Sequence, residues 1–550
     1  MKSNTTGLRN TAVGFLASRD NTTSNDNTAV GHSALIVNTG KENTAVGSQA
    51  LLSNTVGQNN VAVGAYTLSN NSGSSFNTAV GFGSLFSTLA GSNTAVGTNS
   101  LTFNTNGTNN TAVGLEAIAK NTTGSENTAV GYYALRSNTV SELTAVGTRA
   151  LSANTTGTQN VAVGFQALSS SSTGKTMTAV GHNALRVALG GVDSVAVGSA
   201  VLSNTTSAVG LVAIGHLAMG NANVSGTRNI AIGSNALLSV TSGEGNVVIG
   251  TLASASVTTG SHNTGVGEEV MLGASTSAAQ NVAMGRNALN VVNATGCVGI
   301  GYRALFSNTT GVNTAVGYQA GNAITTGTNC TAIGYQALLS ATGGNNTAVG
   351  NSAGSAITTG TDNVLVGRGA NVSVNSHTNC IIIGSAAISS ASNQIRVGVQ
   401  GTQTSCFIAG IRGVTTGVAD AITVLIDSNG QLGTVSSSRR YKKDIMPIRD
   451  ESTALYQIQP VSFVYKSDQT NRKTYGLIAE DVYEKLPEIV VTSKNENGED
   501  LPETIQYHLL PPLLLDLIQK QKLHIDRLES EQNILRTRLK MLETHLGIIV

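Results

Sequence analysis

The chain has 550 residues, a formal net charge of +1, a charged fraction of 11%, 4% aromatic residues and no tryptophan. So few charges, against roughly 25% in an ordinary soluble domain, and so few aromatics exclude a conventional large globular core. Abundant Val, Ile and Thr separate the chain from disordered ones, and the absence of a basic stripe excludes a nucleic-acid-binding surface.

The start, MKSNTTGLRN, lacks the apolar segment of a secretory leader. No apolar run is long enough to span a bilayer, so neither general export nor a membrane anchor is expected. The four cysteines, Cys297, Cys330, Cys380 and Cys406, lack metal-ligand or CxxC spacing and read as small buried residues. No metal or cofactor is expected.

From residue 10 to about 390 the pattern Asn-Thr-Ala-Val-Gly recurs every 17 residues or so, its glycines running from Gly14 and Gly31 to Gly367 and Gly384. A fuller unit is NTAVGSQALLSNTVGQN, from Asn43. Such a period is the mark of a solenoid. Each unit holds two short apolar segments, such as Thr44–Val46 and Ala50–Leu51, which read as strands. Gly47 between them supplies positive φ or close backbone approach, and an Asn-Thr-x-Gly turn follows. One unit cannot bury its own apolar face, so coils must stack. About 23 coils at ~4.8 Å each give a parallel β-solenoid roughly 110 Å long. Its interior is expected to be Ala, Val and Leu. So thin a core calls for lateral association of several chains. Aromatic residues often follow the corner glycine (Tyr132, Phe165, Tyr302, Tyr318, Tyr335), where they face an interface or solvent.

NTAVG and its variants NVAVG and NIAIG resemble the N-S-V-A-I-G repeats in the heads of trimeric autotransporter adhesins. The resemblance covers about residues 10 to 390 and implies left-handed parallel β-rolls packed as a homotrimer. That family's repeat is shorter, which implies extra loop residues in each coil here.

All six prolines, from Pro447 to Pro512, and about half of the charges lie in the last quarter of the chain. This shift marks a boundary near residues 430–437. Residues 391–436 read as a β-rich neck in which DSNGQL is a hairpin-type turn. Residues 437–550 read as a separate α+β domain. Its tail carries a heptad, Leu514, Ile518, Gln521, Ile525, Leu528, Gln532, Leu535, Leu539, Leu542 and Leu546, which predicts a coiled coil over about 513–546 with polar layers at Gln521 and Gln532.

At the seam stands SSSRRYKKDI, residues 436–445. Serine is a weak nucleophile until a base takes its proton, and lysine serves as that base when burial disfavours its ammonium form. Two Ser–Lys pairs share one spacing, Ser437 with Lys442 and Ser438 with Lys443. Residues 437–546 resemble the self-cleaving C-terminal intramolecular chaperone of endosialidases, phage tailspikes and fibres. That family's pattern is Ser-Asp-x-Arg-x-Lys-x-Asp-Ile, then Gly-hydrophobic-Ile-Ala-x-acid-Val, then a Leu-rich helix. Here the first element is Ser437 to Ile445, with Ser438 where Asp is common, and the second is GLIAEDVYEKLPEIV from Gly476. The resemblance assigns Ser437 as nucleophile and Lys442 as general base, with Arg440, Asp444 and Ile445 as the supporting motif, and implies a cut next to Ser437, on either side of it, with Ser436 and Ser437 as the cleavage-site residues.

The fold expectation is therefore mainly β: a long parallel β-solenoid shaft, trimeric, then a small α+β chaperone domain ending in a coiled-coil helix. The functional expectation is a viral or phage fibre or tailspike-like protein, with virion or tail components and a host-surface receptor, glycan or protein, as partners. Its place would be the virion, and the host cytoplasm during assembly. The chaperone domain would be a single-turnover serine endopeptidase acting in cis. The alternative is a bacterial adhesin head with a self-cleaving trimerisation domain. A glycan-cleaving solenoid is disfavoured because paired carboxylates are wanting: Glu268–Glu269 stands alone. Ice binding is disfavoured because turn chemistry explains the Thr of the Asn-Thr-Gly turns.

Overall fold

The computed structural model describes residues 2–221, 223–411, 414, 416–418 and 420–548. They fall into two compact units, 1–414 and 415–550.

In the first unit each repeat contributes a three-residue strand, from Thr11–Val13 and Thr28–Val30 to Val364–Val366, Ile381–Ile383 and Ile395–Val397. Every strand pairs in parallel with that of the next coil and in register, Thr28 beside Thr44, Ala29 beside Ala45 and Val30 beside Val46. The outcome is one 24-stranded sheet, a parallel β-solenoid. The ladder ends at Ile395–Val397, paired with Ile381–Ile383. The corner glycine is required twice over. Gly64 has φ +130°, and a Cβ there would lie 2.8 Å from the carbonyl of Gly81 in the next coil.

Three features of the coil differ from the sequence reading. First, the second apolar segment is a turn, not a strand: Gln49 and Leu51 have φ of 58° and 49°. A left-handed conformation costs roughly 1–2 kcal/mol per residue. Inter-coil hydrogen bonds offset it, Gln49 N donating to His32 O at 2.8 Å and Leu51 N to Thr67 O at 2.9 Å. So does the complete burial of Leu51.

Second, valine of the motif faces outward. In Thr44–Val46 only the central Ala45 is buried. Alternation puts both neighbours of the alanine on the other face, and the same inward position holds Val248, Leu365 and Ile382 in later coils, all buried. Thr and Val thus form outward columns along the sheet.

Third, asparagine builds the interior. Asn43, Asn60 and Asn77 are buried. Asn43 Oδ1 accepts from Asn60 N, and Asn60 Oδ1 from Asn77 N at 3.0 Å. A second column joins the turns: Asn54 Nδ2 donates to Asn38 Oδ1 at 2.7 Å and Asn71 Nδ2 to Asn54 Oδ1 at 3.0 Å. Cys297, Cys330 and Cys380 occupy rungs of the first column, their N–H groups donating to Asn281, Asn313 and Asn363. Burial pushes the Cys297 and Cys330 thiols up. Threonines of the turns bond between coils rather than within their own turn, as in Thr105 Oγ1 donating to Thr122 O at 2.8 Å. The aromatics after corner glycines stack on one another: Tyr302, Tyr318 and Tyr335 follow at centroid distances of 5.2 Å.

The second unit begins with a hairpin, Leu425–Ile426 against Leu432–Gly433. Asp427 Oδ1 accepts from Asn429 N and Gln431 N, both at 2.9 Å, which makes DSNGQL the expected turn. Two further hairpins, Val461–Phe463 with Thr474–Gly476 and Val490–Lys494 with Asp500–Ile505, accompany helix α1 (Ala479–Tyr483). Val482, Leu486, Ile489 and Ile505 form the core, flanked by Leu455, Leu477 and Leu513. Gly476 is needed because a Cβ there would lie 3.0 Å from Tyr507 Oη, which accepts from Leu477 N at 3.1 Å. The unit closes with helix α2 (Leu510–His545), 36 residues with Pro511 and Pro512 in its first turn, where a missing N–H costs nothing. It runs about 54 Å. Among the described residues no helix is long and apolar enough to cross a membrane.

Candidate functional site

The seam sequence follows the hairpin as extended chain. Ser438 (φ −68°, ψ 136°) then caps a 3-10 turn, Arg439–Tyr441, as short polar residues do at helix starts. Its Oγ accepts from Arg440 N at 3.4 Å and from Arg440 Nε at 3.2 Å. Ser438 N donates to Ser436 Oγ at 3.3 Å. Both Ser436 and Ser438 are therefore engaged. Ser437 is exposed, and its hydroxyl makes no hydrogen bond among the described residues.

Lys442 closes the turn, its N–H donating to Arg439 O at 3.2 Å. Its side chain is exposed, as are those of Arg440, Lys443, Asp444 and Ile445. No hydrogen bond joins Ser437 to Lys442 within this one chain, and the burial expected around the lysine is not supplied by it. Asp444 has φ 53°, the left-handed region that Asp tolerates better than most residues, and it redirects the chain toward Pro447. The capping role of Ser438 was missed in the sequence reading. Its signal was there: a serine two residues before an arginine whose N–H and guanidinium both reach back.

The heptad residues from Leu514 to Leu542 lie on one continuous helix, and Leu546 caps its C-terminus. Leu514, Ile518, Ile525, Leu528, Leu535, Leu539, Leu542 and Leu546 are all exposed, Leu528 at 47% and Leu542 at 56%. Gln521 and Gln532 are exposed as well. By contrast Leu517 is buried. An apolar stripe on a helix about 54 Å long has no partner in the single chain. Among the described residues no cluster of His, Cys, Asp and Glu fit to hold a metal occurs.

The family model for the chaperone of endosialidase matches residues 437–491. The match opens on Ser437 and runs through the Gly476–Val490 segment to the start of the last hairpin. It is a self-cleaving chaperone family, and a β-solenoid followed by this domain fits a tail-fibre or tailspike-like protein with an intramolecular chaperone. No curated protein and no solved structure was found similar to the chain.

Proposed function

We propose that the protein is a homotrimeric fibre or tailspike-like component of a virion, that its solenoid serves attachment to a host-surface glycan or protein, and that residues 437–550 drive trimerisation and then release themselves. Assembly would take place in the host cytoplasm. The observation that carries this reading is the family match beginning at Ser437, directly after a parallel ladder and a hairpin.

Two further features support trimerisation. The heptad seam exposes Leu or Ile at every position but Gln521 and Gln532. The solenoid presents an unbroken outward column of β-branched side chains, such as Val61, Val63 and Val96, which association with other copies would cover. Parallel pairing of distant segments is slow to form because its contacts are nonlocal. A trimeric clamp that aligns three chains addresses that step, and its loss after cleavage leaves a kinetically trapped shaft.

The reaction is written for the Ser436–Ser437 bond. Neutral Lys442 takes the proton from Ser437 Oγ, and the oxygen adds to the Ser436 carbonyl carbon. The C–N bond breaks as the lysine ammonium returns the proton to the Ser437 nitrogen. The resulting ester between Ser436 and Ser437 Oγ is hydrolysed by water, which frees the Ser436 carboxylate and a new Ser437 N-terminus. The free Ser437 hydroxyl, beside a Ser438 hydroxyl committed to its cap, favours Ser437 as nucleophile. Neighbouring chains of the trimer would supply the missing burial of Lys442. Intact and native mass spectrometry of the purified protein tests the whole reading. Trimers of residues 1–436 with a separate 437–550 fragment are expected; an uncut monomer would refute it.

A further inference from the structure

A second Ser–Lys contact lies deeper in the same unit. Ser452 is fully enclosed, in the 3-10 helix Glu451–Gln457. Its hydroxyl donates to Asp516 Oδ2 at 2.5 Å. Lys520 Nζ donates to Ser452 Oγ at 2.9 Å, pairs with Asp516 Oδ2 at 2.7 Å and also donates to the carbonyl of Arg449. Glu451 Oε2 accepts from Arg449 N at 2.7 Å, which fixes the same stretch from the other side.

This pair does not have the character of a nucleophile and its base. The ammonium of Lys520 is held by three acceptors, and the proton of Ser452 is committed to a carboxylate. Hydrogen bonds from Lys520 and Ser452 hold the Asp516 carboxyl below its ordinary range, so it is ionised at neutral pH. What the cluster does is mechanical. It fastens the chain that leaves the Ser437–Asp444 motif, five residues after that motif ends, to the first turns of α2.

The placement on α2 matters. At about 100° per residue, Asp516 and Lys520 each lie roughly 200° from Leu514 and Ile518, the seam residues two positions before them. One helix thus presents the seam on one side and the polar cluster on another, so it can pair between chains without releasing the cluster. We propose that Ser452, Asp516 and Lys520 are a positioning clasp that transmits assembly of the α2 seam to the segment carrying Ser437 and Lys442, so that cleavage waits for the trimer. The proposal rests on the autoproteolytic reading above. In it the three residues act through Arg449 and touch neither the scissile bond nor its nucleophile.

The test follows cleavage by denaturing electrophoresis in the full chain and in Ser452→Ala, Asp516→Asn, Lys520→Met and Lys520→Arg, with trimer content from native mass spectrometry. Ser437→Ala serves as the uncut control. Ser452→Ala removes a hydroxyl while keeping the Asp516–Lys520 pair, and is chosen to preserve the fold. A small displacement of reacting groups costs up to about 10²-fold in rate. Trimeric Ser452→Ala and Asp516→Asn are therefore expected to cleave at least ~10-fold more slowly than wild type. Lys520→Arg, which keeps the cation, should outpace Lys520→Met. Clasp variants that form trimers and cleave at the wild-type rate overturn the clasp alone. Loss of the trimer in every variant, Ser452→Ala included, also overturns it, because the cluster would then be a fold element only. Wild-type trimers that never cleave overturn the autoproteolytic reading itself.

Discussion

Asn60 Nδ2 donates to Asn43 Oδ1 at 3.1 Å, one coil back, and both amides are shut off from solvent. The same Asn60 side chain donates to Ser74 O at 3.0 Å and accepts from Asn77 N at 3.0 Å. One side chain thus satisfies two backbone groups of the next coil while donating to the side chain of the previous one, and a plain alanine interior would leave those backbone groups without it. Asparagine supplies two donors and an acceptor in one flat group, and the ladder needs both.

Replacing it tests that claim. Asn60→Leu leaves Asn77 N without its acceptor, a penalty of about 1–3 kcal/mol, while Ser74 O keeps its bond from Asn71 Nδ2 at 3.0 Å. Leu143 already fills one such rung, its N–H still donating to Asn127 Oδ1 at 3.1 Å, so the coil is expected to survive. Asn60→Asp is expected to be worse, since it turns a donor into an acceptor facing Asn43 Oδ1 and Ser74 O. Hydrogen exchange at Thr78–Val80 reads both effects, and the order Asp worse than Leu is the outcome to check.

Glycines of the solenoid are not equivalent, and two of them make a matched pair. Gly64 combines φ +130° with a neighbouring carbonyl that a Cβ would approach to 2.8 Å, whereas a Cβ at Gly190 would meet nothing within 4 Å. Gly64→Ala is expected to cost at least ~2 kcal/mol, within the range of the larger point-mutant effects, and to open the local coil to protease. Gly190→Ala is expected to be neutral within ~0.5 kcal/mol, as surface changes usually are. Equal protease resistance in the two variants would contradict the close stacking of coils.

The sequence made the solenoid legible through the glycine period, because each glycine answers a backbone constraint that no other residue meets. It misled where tertiary packing overrides local preference. Leu51 takes a left-handed conformation that leucine disfavours, since only that turn buries it among neighbouring coils. Val46 faces outward although it is more apolar than Ala45, since period-two alternation gives the inward place to the central residue of the strand. Asn43 reads as a turn residue in isolation, and its ladder appears only once coils are stacked. At the seam, the register of Ser437 and Lys442 was legible from a motif, while both side chains are exposed in the single chain. In the Ser452–Asp516–Lys520 cluster only the i,i+4 pair Asp516–Lys520 had a sequence signal, since Ser452 lies 64 and 68 residues from its two partners.

The α2 seam yields a prediction about assembly. Leu528→Asp places a carboxylate in an apolar heptad layer and is expected to abolish the trimer, as is a chain stopped at residue 436. The same change at Lys522, which pairs with Asp526 at 2.6 Å on the exposed helix surface, breaks a solvent-screened ion pair and leaves the apolar layers unchanged. Sedimentation of Leu528→Asp and Lys522→Asp side by side separates a packing seam from a merely charged helix. A Leu528→Asp protein that remained trimeric would remove the clamp.

The sharpest test concerns the three adjacent serines. Ser437→Ala removes the proposed nucleophile and touches none of the seam, so it should leave full-length trimers uncut. Lys442→Ala should do the same, because serine then lacks its base. Lys443→Ala lies outside the matched register and should cleave normally. Ser438→Ala removes the cap of the 3-10 turn, worth roughly 0.5–2 kcal/mol of local stability. Cleavage is therefore expected to persist, slowed by loosening of the turn that separates Ser437 from Lys442. Denaturing electrophoresis with N-terminal sequencing of the smaller product gives the answer, and that product should begin at Ser437. Cleavage that persists in Ser437→Ala but vanishes in Ser438→Ala would move the nucleophile by one residue. It would also make the hydrogen bonds from Arg440 to Ser438 the means of aiming the attacking oxygen rather than a cap.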